Sequence, residues 1–310
     1  MRVTKNDITI CLIGASGVGK STMGAALTMN KHLAKNKFGT LSIKELKKDE
    51  VFKNMRKNID KQFPTRHRVV HKSALSFKGR DNAWSTTFNE LYLYDDRGGA
   101  YDSFLDLWFN PDVVALESSA TNANSIICML SSEQFFKSCK KYGLGCTPLM
   151  CQSCTESIKQ NTDIDCKHLN RLAIKQMIKV IAKISIKNNI PVAIAITHSN
   201  IPEAQKKEKE MRGILSAYID YEYASAPQLK PNIYFIDSKS AIENPKSKFA
   251  RTVALPVLDL ILKSLDSSTL QSSKNKVGEF FFNQIWGARN ETYSDLRNTI
   301  ITEIDTQGGY

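Results

Sequence analysis

Residues 14–21 read GASGVGKS, and their types and spacing suit one kind of chemistry, the capture of phosphate. Gly14, four further residues and then Gly19-Lys20-Ser21 is a pattern in which glycines let backbone N–H groups turn inward around an anion. In it Gly14, Ser16, Gly17, Val18 and Gly19 form the cradle. Lys20 reaches the β- and γ-phosphates, Ser21 ligates Mg²⁺, and Thr22 follows in the first helical turn. The helix turns its positive N-terminal end to the same anion. A glycine turn with no ligand is the bland alternative. The context speaks against it, because the β-rich run Ile8–Ile13 precedes the pattern and helix-forming residues follow it.

Three further groups stand where a nucleotide would need them. Asp95-Asp96-Arg97-Gly98 follows the apolar run Leu91–Tyr94; a carboxylate at Asp95 can hold Mg²⁺ through water, and the Gly98 N–H can meet a γ-phosphate. Thr65, after Phe63-Pro64, can ligate the metal and sense the same phosphate. Lys20, Thr65 and Gly98 are thus the candidate catalytic residues, and Ser21, Thr65 and Asp95 the candidate metal ligands. Thr86 and Thr87 compete with Thr65, but they fall within a predicted strand. Thr197-His198-Ser199-Asn200 and Asp237-Ser238-Lys239-Ser240 end two later apolar runs. Loops at the carboxyl edge of neighbouring strands are where an open parallel sheet binds a base, so Thr197, His198, Asn200, Ser238 and Lys239 are candidates for that contact.

The elements that must position these groups alternate along the chain. A strand over Ile8–Ile13 leads into the loop, and a helix spans about 20–36. A basic, polar segment runs to Pro64. Two β-like runs, Arg66–Phe77 and Thr86–Tyr94, flank the turn signal Lys78–Asn82 and predict an antiparallel hairpin. Short buried strands are expected at Ser125–Ser131, Pro191–Thr197 and Asn232–Asp237. Apolar residues at helical spacing predict a helix over 164–188, a charged helix follows over 203–225, and a last helix over 247–266 is kinked at Pro256.

In their chain order these motifs resemble those of the Ras-like and translation-factor-related (TRAFAC) P-loop GTPases, over roughly residues 7–265. Within that class the chain looks most similar to the bacterial double-GTPase-like group. The resemblance implies an α/β fold, a three-layer G-domain-like P-loop NTPase with a mostly parallel sheet and one antiparallel hairpin strand. It implies a molecular switch that binds GTP and hydrolyses it slowly with Mg²⁺, and that signals to a protein effector. Two positions depart from the pattern. The family reads guanine with an aspartate, and Asn200 stands there with one acceptor and one donor group, so ATP is not excluded. The family often places glutamine after DxxG, and Gly99 stands there without a side chain to orient water. A P-loop kinase using ATP on a small acceptor and a nucleotide-binding scaffold with little turnover stay open beside the switch.

Composition bounds the rest. The chain has 310 residues, 42% of them hydrophobic, enough for one large α/β domain with appendages. A nucleotide-binding domain over 1–266 with a cysteine-rich insertion at 133–166, then a linker and tail over 267–310, is the expected organisation. The tail carries Phe280, Phe281, Phe282, Ile285 and Trp286, which either dock on their own domain or meet a partner. The seven cysteines include Cys146, Cys151, Cys154 and Cys166, which with His168 are a weak zinc pattern; reduced loop cysteines are the commoner case. An odd cysteine count, no apolar run of membrane-spanning length and an N-terminus leading straight into a strand suggest a cytoplasmic protein. Residues 31–80 carry 15 Lys or Arg against 4 Asp or Glu, most of the net charge of +12. Such a block is either a solvated face or a surface for an acidic protein, nucleic acid or anionic membrane.

Overall fold

The computed structural model describes residues 8–14, 18–29, 32–45, 69–79, 85–95, 123–135, 167–244, 251–272 and 294–307. Strand β1 (Ile8–Ile13) feeds the glycine-rich loop and helix α1 (Lys20–Met29). Strands β2 (His32–Asn36), β3 (Gly39–Glu45), β4 (Val69–Gly79) and β5 (Ser85–Asp95) follow. Then come β6 (Ser125–Ser131), α2 (Lys167–Asn188), β7 (Val192–Thr197), α3 (Pro202–Lys206) and α4 (Glu208–Glu222). Strand β8 (Asn232–Phe235), α5 (Ser238–Glu243), α6 (Leu255–Ser272) and α7 (294–307) complete the order.

All eight strands join one sheet in the order β2-β3-β4-β5-β1-β6-β7-β8. From β5 to β8 neighbouring strands run parallel. Strands β2 to β5 are joined by antiparallel pairings. Parallel strands are buried on both faces, which is why β1, β6 and β7 read as unbroken apolar runs. Successive side chains point to opposite faces, and two cores result. Ile10, Leu12, Ile127 and Met129 pack with Met23 and Leu27 of α1, Leu258 and Ile261 of α6, and Leu296 and Ile300 of α7. Cys11, Ile13, Ile126 and Cys128 pack on the other face with Ile178 and Ile181 of α2, Ala204 of α3 and Leu215 and Ile219 of α4. The fold is therefore a three-layer α/β domain with β1 at its centre.

Several elements differ from the sequence expectation. Helix α1 ends at Met29, not near residue 36, and the basic segment contains the β2–β3 hairpin, so the sheet has two more antiparallel strands than expected. The lysines hide a period of two: Leu41 and Ile43 are buried between the half-buried Thr40 and Ser42 and the exposed Lys44. The charged helix over 203–225 is two helices that meet at Lys207. Pro256 does not kink a continuous helix. It lies in the first turn of α6, where its missing N–H costs nothing, and a turn at Val253–Ala254 separates it from the preceding helical residues. Helix α6 continues to Ser272, beyond the expected end at 266.

Helix α7 seals the edge of the antiparallel part. Lys35 of β2 donates its N–H to Glu303 Oε2 at 3.4 Å, and Asn36 Nδ2 donates to the Thr299 carbonyl at 2.8 Å. Glu303 is buried, and burial raises its carboxyl pKa against the opposing effects of the Lys35 hydrogen bond and Arg251. At the opposite, amino edge of the parallel strands, Asp259 of α6 accepts from Asn232 Nδ2 and Lys263 Nζ, each at 3.0 Å. Lys263 also donates to the Val192 carbonyl at 3.2 Å, so one part-buried cluster around Asp259 ties α6 to the starts of β7 and β8.

Candidate functional site

The chain leaves the carboxyl end of β1 between β5 on one side and β6 on the other, the point at which the strand order reverses. Open α/β sheets bind ligands in the crevice at such a point. The two flanking glycines of the loop are needed for different reasons. A Cβ on Gly14 would stand 2.5 Å from the Met129 carbonyl oxygen of β6 and 2.9 Å from Val18 Cγ2, so only glycine lets the loop lie against the strand. Gly19 has φ +92°, a conformation open to glycine and strained for other residues, while its nearest neighbour to a Cβ is Thr197 Cγ2 at 4.0 Å.

Lys20 opens α1 and is only 5% exposed. Its Nζ donates to the Gly14 carbonyl at 2.8 Å, so a buried ammonium is held across the mouth of the loop. A buried cation of this kind is costly unless hydrogen-bonded. Ser21 and Thr22 are half-buried in the same first turn, and the Met23 N–H donates to the Gly19 carbonyl. Ser16 and Gly17 lie outside the described residues. So do Thr65 and Gly98, and of Asp95 only the backbone is described. That backbone ends β5 in register with Leu12 of β1, two residues before Gly14.

The two later loops close the same edge. Thr197 is buried, and its Oγ1 donates to the Leu130 carbonyl at 3.2 Å. His198 adopts φ +57°, an uncommon left-handed conformation for a residue other than glycine. Its Nδ1 lies 3.0 Å from Ser131 Oγ, and Ser132 Oγ donates to its carbonyl at 3.1 Å. Backbone strain of this sort persists only where neighbours hold it, and here the end of β6 does so. The Ser199 N–H donates to the Ile236 carbonyl at 3.4 Å. Exposed Asn200 donates from Nδ2 to Ser240 Oγ at 3.3 Å. Ser238 is buried at the start of α5, whereas Lys239 is exposed and pairs with Glu243 at 3.8 Å.

The structure thus brings Gly14, Gly19, Lys20, Ser21, Thr197 and His198 to one sheet edge and links Asn200 to the loop that carries Ser238 and Lys239. It also presents a residue that motif reading passed over. Asp237 is 1% exposed and caps α5, its Oδ1 accepting from the Ser240 N–H at 3.0 Å. An aspartate at the end of an apolar run and the start of a helix is the signal that could have found it.

Cys128, on the strand beneath the loop, is a core residue and not a nucleophile. Burial pushes its thiol up to about 12, and its Sγ lies 3.4 Å from Met177 Sδ. Of the zinc pattern, Cys146, Cys151, Cys154 and Cys166 lie outside the described residues, as does the aromatic cluster at 280–286, and only the backbone of His168 is described. No group of three potential metal ligands among His, Cys, Asp and Glu occurs among the described residues. No helix among them is long and apolar enough to cross a membrane.

No family model matches the chain, and no curated protein matches it. Among solved structures it is similar to translation elongation factor SelB from Methanococcus maripaludis in complex with the GTP analogue GppNHp, at 13% identity and a TM-score of 0.35. That similarity covers 86% of this chain and 35% of the SelB chain, so the chain spans about a third of that structure's length, and a likeness so slight carries no functional conclusion.

Proposed function

We propose that the chain is a nucleotide-binding switch that binds GTP and hydrolyses it slowly with Mg²⁺. The observation that carries this reading is Lys20. A buried ammonium is bonded to the Gly14 carbonyl at the mouth of a glycine loop that ends the central strand. Phosphate oxygens would exchange a neutral carbonyl partner for charged ones, and charge-assisted bonds are the stronger kind. The N–H groups of the loop and of the first turn of α1 add donors to the same anion.

Ser21 and Asp95 suit a Mg²⁺ site, with Thr65 as a third candidate. Mg²⁺ keeps several waters and uses one or two protein oxygens beside the phosphates, a demand that a hydroxyl in the first turn of α1 and a carboxylate ending the adjacent strand can meet. When bound, the ion would neutralise charge on the β- and γ-phosphates. Thr197 and His198 would flank the base, with Ser238 and Lys239 on the other side. Gly99 offers no side chain to orient water, which supports slow turnover, and the basic segment 31–80 is the proposed surface toward an effector.

The test is Lys20→Ala in the full chain. Triphosphate affinity, measured by titration calorimetry, should fall at least about tenfold, equivalent to about 1.4 kcal/mol. Unchanged affinity would remove the loop from consideration as the site.

A further inference from the structure

Three buried polar atoms on the loops that follow β7 and β8 have no hydrogen-bond partner among the described residues: Ser199 Oγ, Asp237 Oδ2 and Ser238 Oγ. Their residues are 7%, 1% and 6% exposed. They are neighbours, because the Ser199 N–H donates to the Ile236 carbonyl and Ile236 leads directly into Asp237 and Ser238. Other polar groups of these loops are satisfied. Thr197 Oγ1 reaches Leu130, Asn200 Nδ2 reaches Ser240, and Asp237 Oδ1 takes the Ser240 N–H. One oxygen of the Asp237 carboxylate thus caps α5 and the other is left over. A buried polar atom without a partner forfeits its hydration and gains nothing in return, so most are paired. Three together, on adjacent loops at the carboxyl edge of the sheet, call for a ligand that supplies what they lack.

Their chemistry narrows that ligand. An ionised carboxylate oxygen only accepts, and the two hydroxyls can donate or accept. The set complements a ring edge with N–H donors beside a carbonyl. Guanine has that edge, with N1–H and the 2-amino group next to O6. Adenine pairs one amino group with a bare ring nitrogen and offers a single donor group. Xanthine puts a carbonyl where guanine has its amino group and would turn it toward the carboxylate. We propose that Asp237, rather than Asn200, selects guanine, with Ser199 and Ser238 satisfying the rest of the base edge. This rests on the reading of the chain as a nucleotide-binding protein. The role left to Asn200 is positional, its amide tying the loop after β7 to Ser240. The three atoms are shut away from solvent, so binding of the base there requires the loops after β7 and β8 to part.

The experiment compares GTP, XTP and ATP binding by the full chain and by Asp237→Asn. Asparagine keeps an oxygen for the Ser240 N–H and is as good a helix cap, and a thermal melt verifies that the variant folds. It turns the leftover acceptor into a donor. GTP should weaken by about tenfold or more and XTP tighten by a similar factor. The XTP-to-GTP ratio is read within one preparation, so a partly unfolded sample does not distort it. An unchanged ratio, with Lys20→Ala still weakening binding of both nucleotides at least about tenfold, would overturn the role of Asp237 and leave the nucleotide site standing. A ratio moved by Asn200→Asp but not by Asp237→Asn would return base reading to Asn200. Failure of the wild-type chain to bind any triphosphate would overturn both.

Discussion

Replacing Gly14 by alanine tests how closely the glycine loop is fitted to the sheet. The new Cβ would stand 2.5 Å from the Met129 carbonyl oxygen, 3.3 Å from the Met129 carbonyl carbon and 2.9 Å from Val18 Cγ2. Non-bonded heavy atoms settle at about 3.5 Å or more, so the loop and β6 must separate by about 1 Å. The obstructing atom is sheet backbone and cannot rotate aside as a side chain would. Overpacking of this kind costs about 1–3 kcal/mol, and the rigid partner places Gly14→Ala in the upper half of that range. For a chain of this size each kcal/mol lowers the melting temperature by about 2–4 °C, which gives a fall of about 4–12 °C. Circular dichroism melts measure it, and the urea midpoint should drop with no change in slope. Gly213 is the control: it is exposed within α4, and a Cβ there meets nothing within 4 Å. Gly213→Ala should gain about 0.5–1 kcal/mol, the helix penalty of glycine relative to alanine. A Gly14→Ala melt within a degree of wild type would refute the close approach of loop and strand. Equal shifts of the same sign at both glycines would refute the distinction between them.

Two further predictions concern packing away from the site. Ile300 of α7 is fully buried in the core, so Ile300→Ala should cost about 2–5 kcal/mol in chemical denaturation; a loss under about 1 kcal/mol would mean that α7 is not packed there. Asp259 has a carboxyl pKa raised above 3.8, chiefly by burial, against the opposing effect of Lys263. A carboxyl raised in the folded state contributes stability at acid pH and loses it as the pH climbs through the folded value. The stability advantage of wild type over Asp259→Asn should therefore shrink as the pH climbs above about 4. An advantage that grows as the pH climbs would mean that Lys263 outweighs burial.

Much of the central fold was legible because its strands are short apolar runs and the glycine loop has few uses. Ile8–Ile13, Ser125–Ser131 and Val192–Thr197 are buried from both faces and therefore lack polar punctuation. The β2–β3 hairpin was obscured by chemistry of another kind. Lys35, Lys37 and Lys44 dominate the composition, while the alternation that marks the strands rests on Leu33, Leu41 and Ile43. Helix α7 was equally overlooked, although Leu296, Ile300 and Ile304 repeat every fourth residue, because the aromatic cluster before it is the louder signal. Asp237 was passed over for a different reason. Motifs name residues by type and spacing, whereas its interest lies in an oxygen left without a partner, which only packing reveals.

The seal of α7 on β2 also sets an order of events during synthesis. Lys35 and Glu303 are 268 residues apart, and Asn36 and Thr299 are 263 apart. At about 5–20 residues per second, β2 leaves the ribosome roughly 13–54 s before its cover does. Throughout that interval a nascent edge strand presents open backbone groups, a template for pairing with another chain. The positive charge concentrated around it, with Lys35, Lys37 and Lys44 exposed, makes two such edges repel. The same lysines that hide the strand in the sequence thus disfavour its pairing with a second nascent chain before α7 exists.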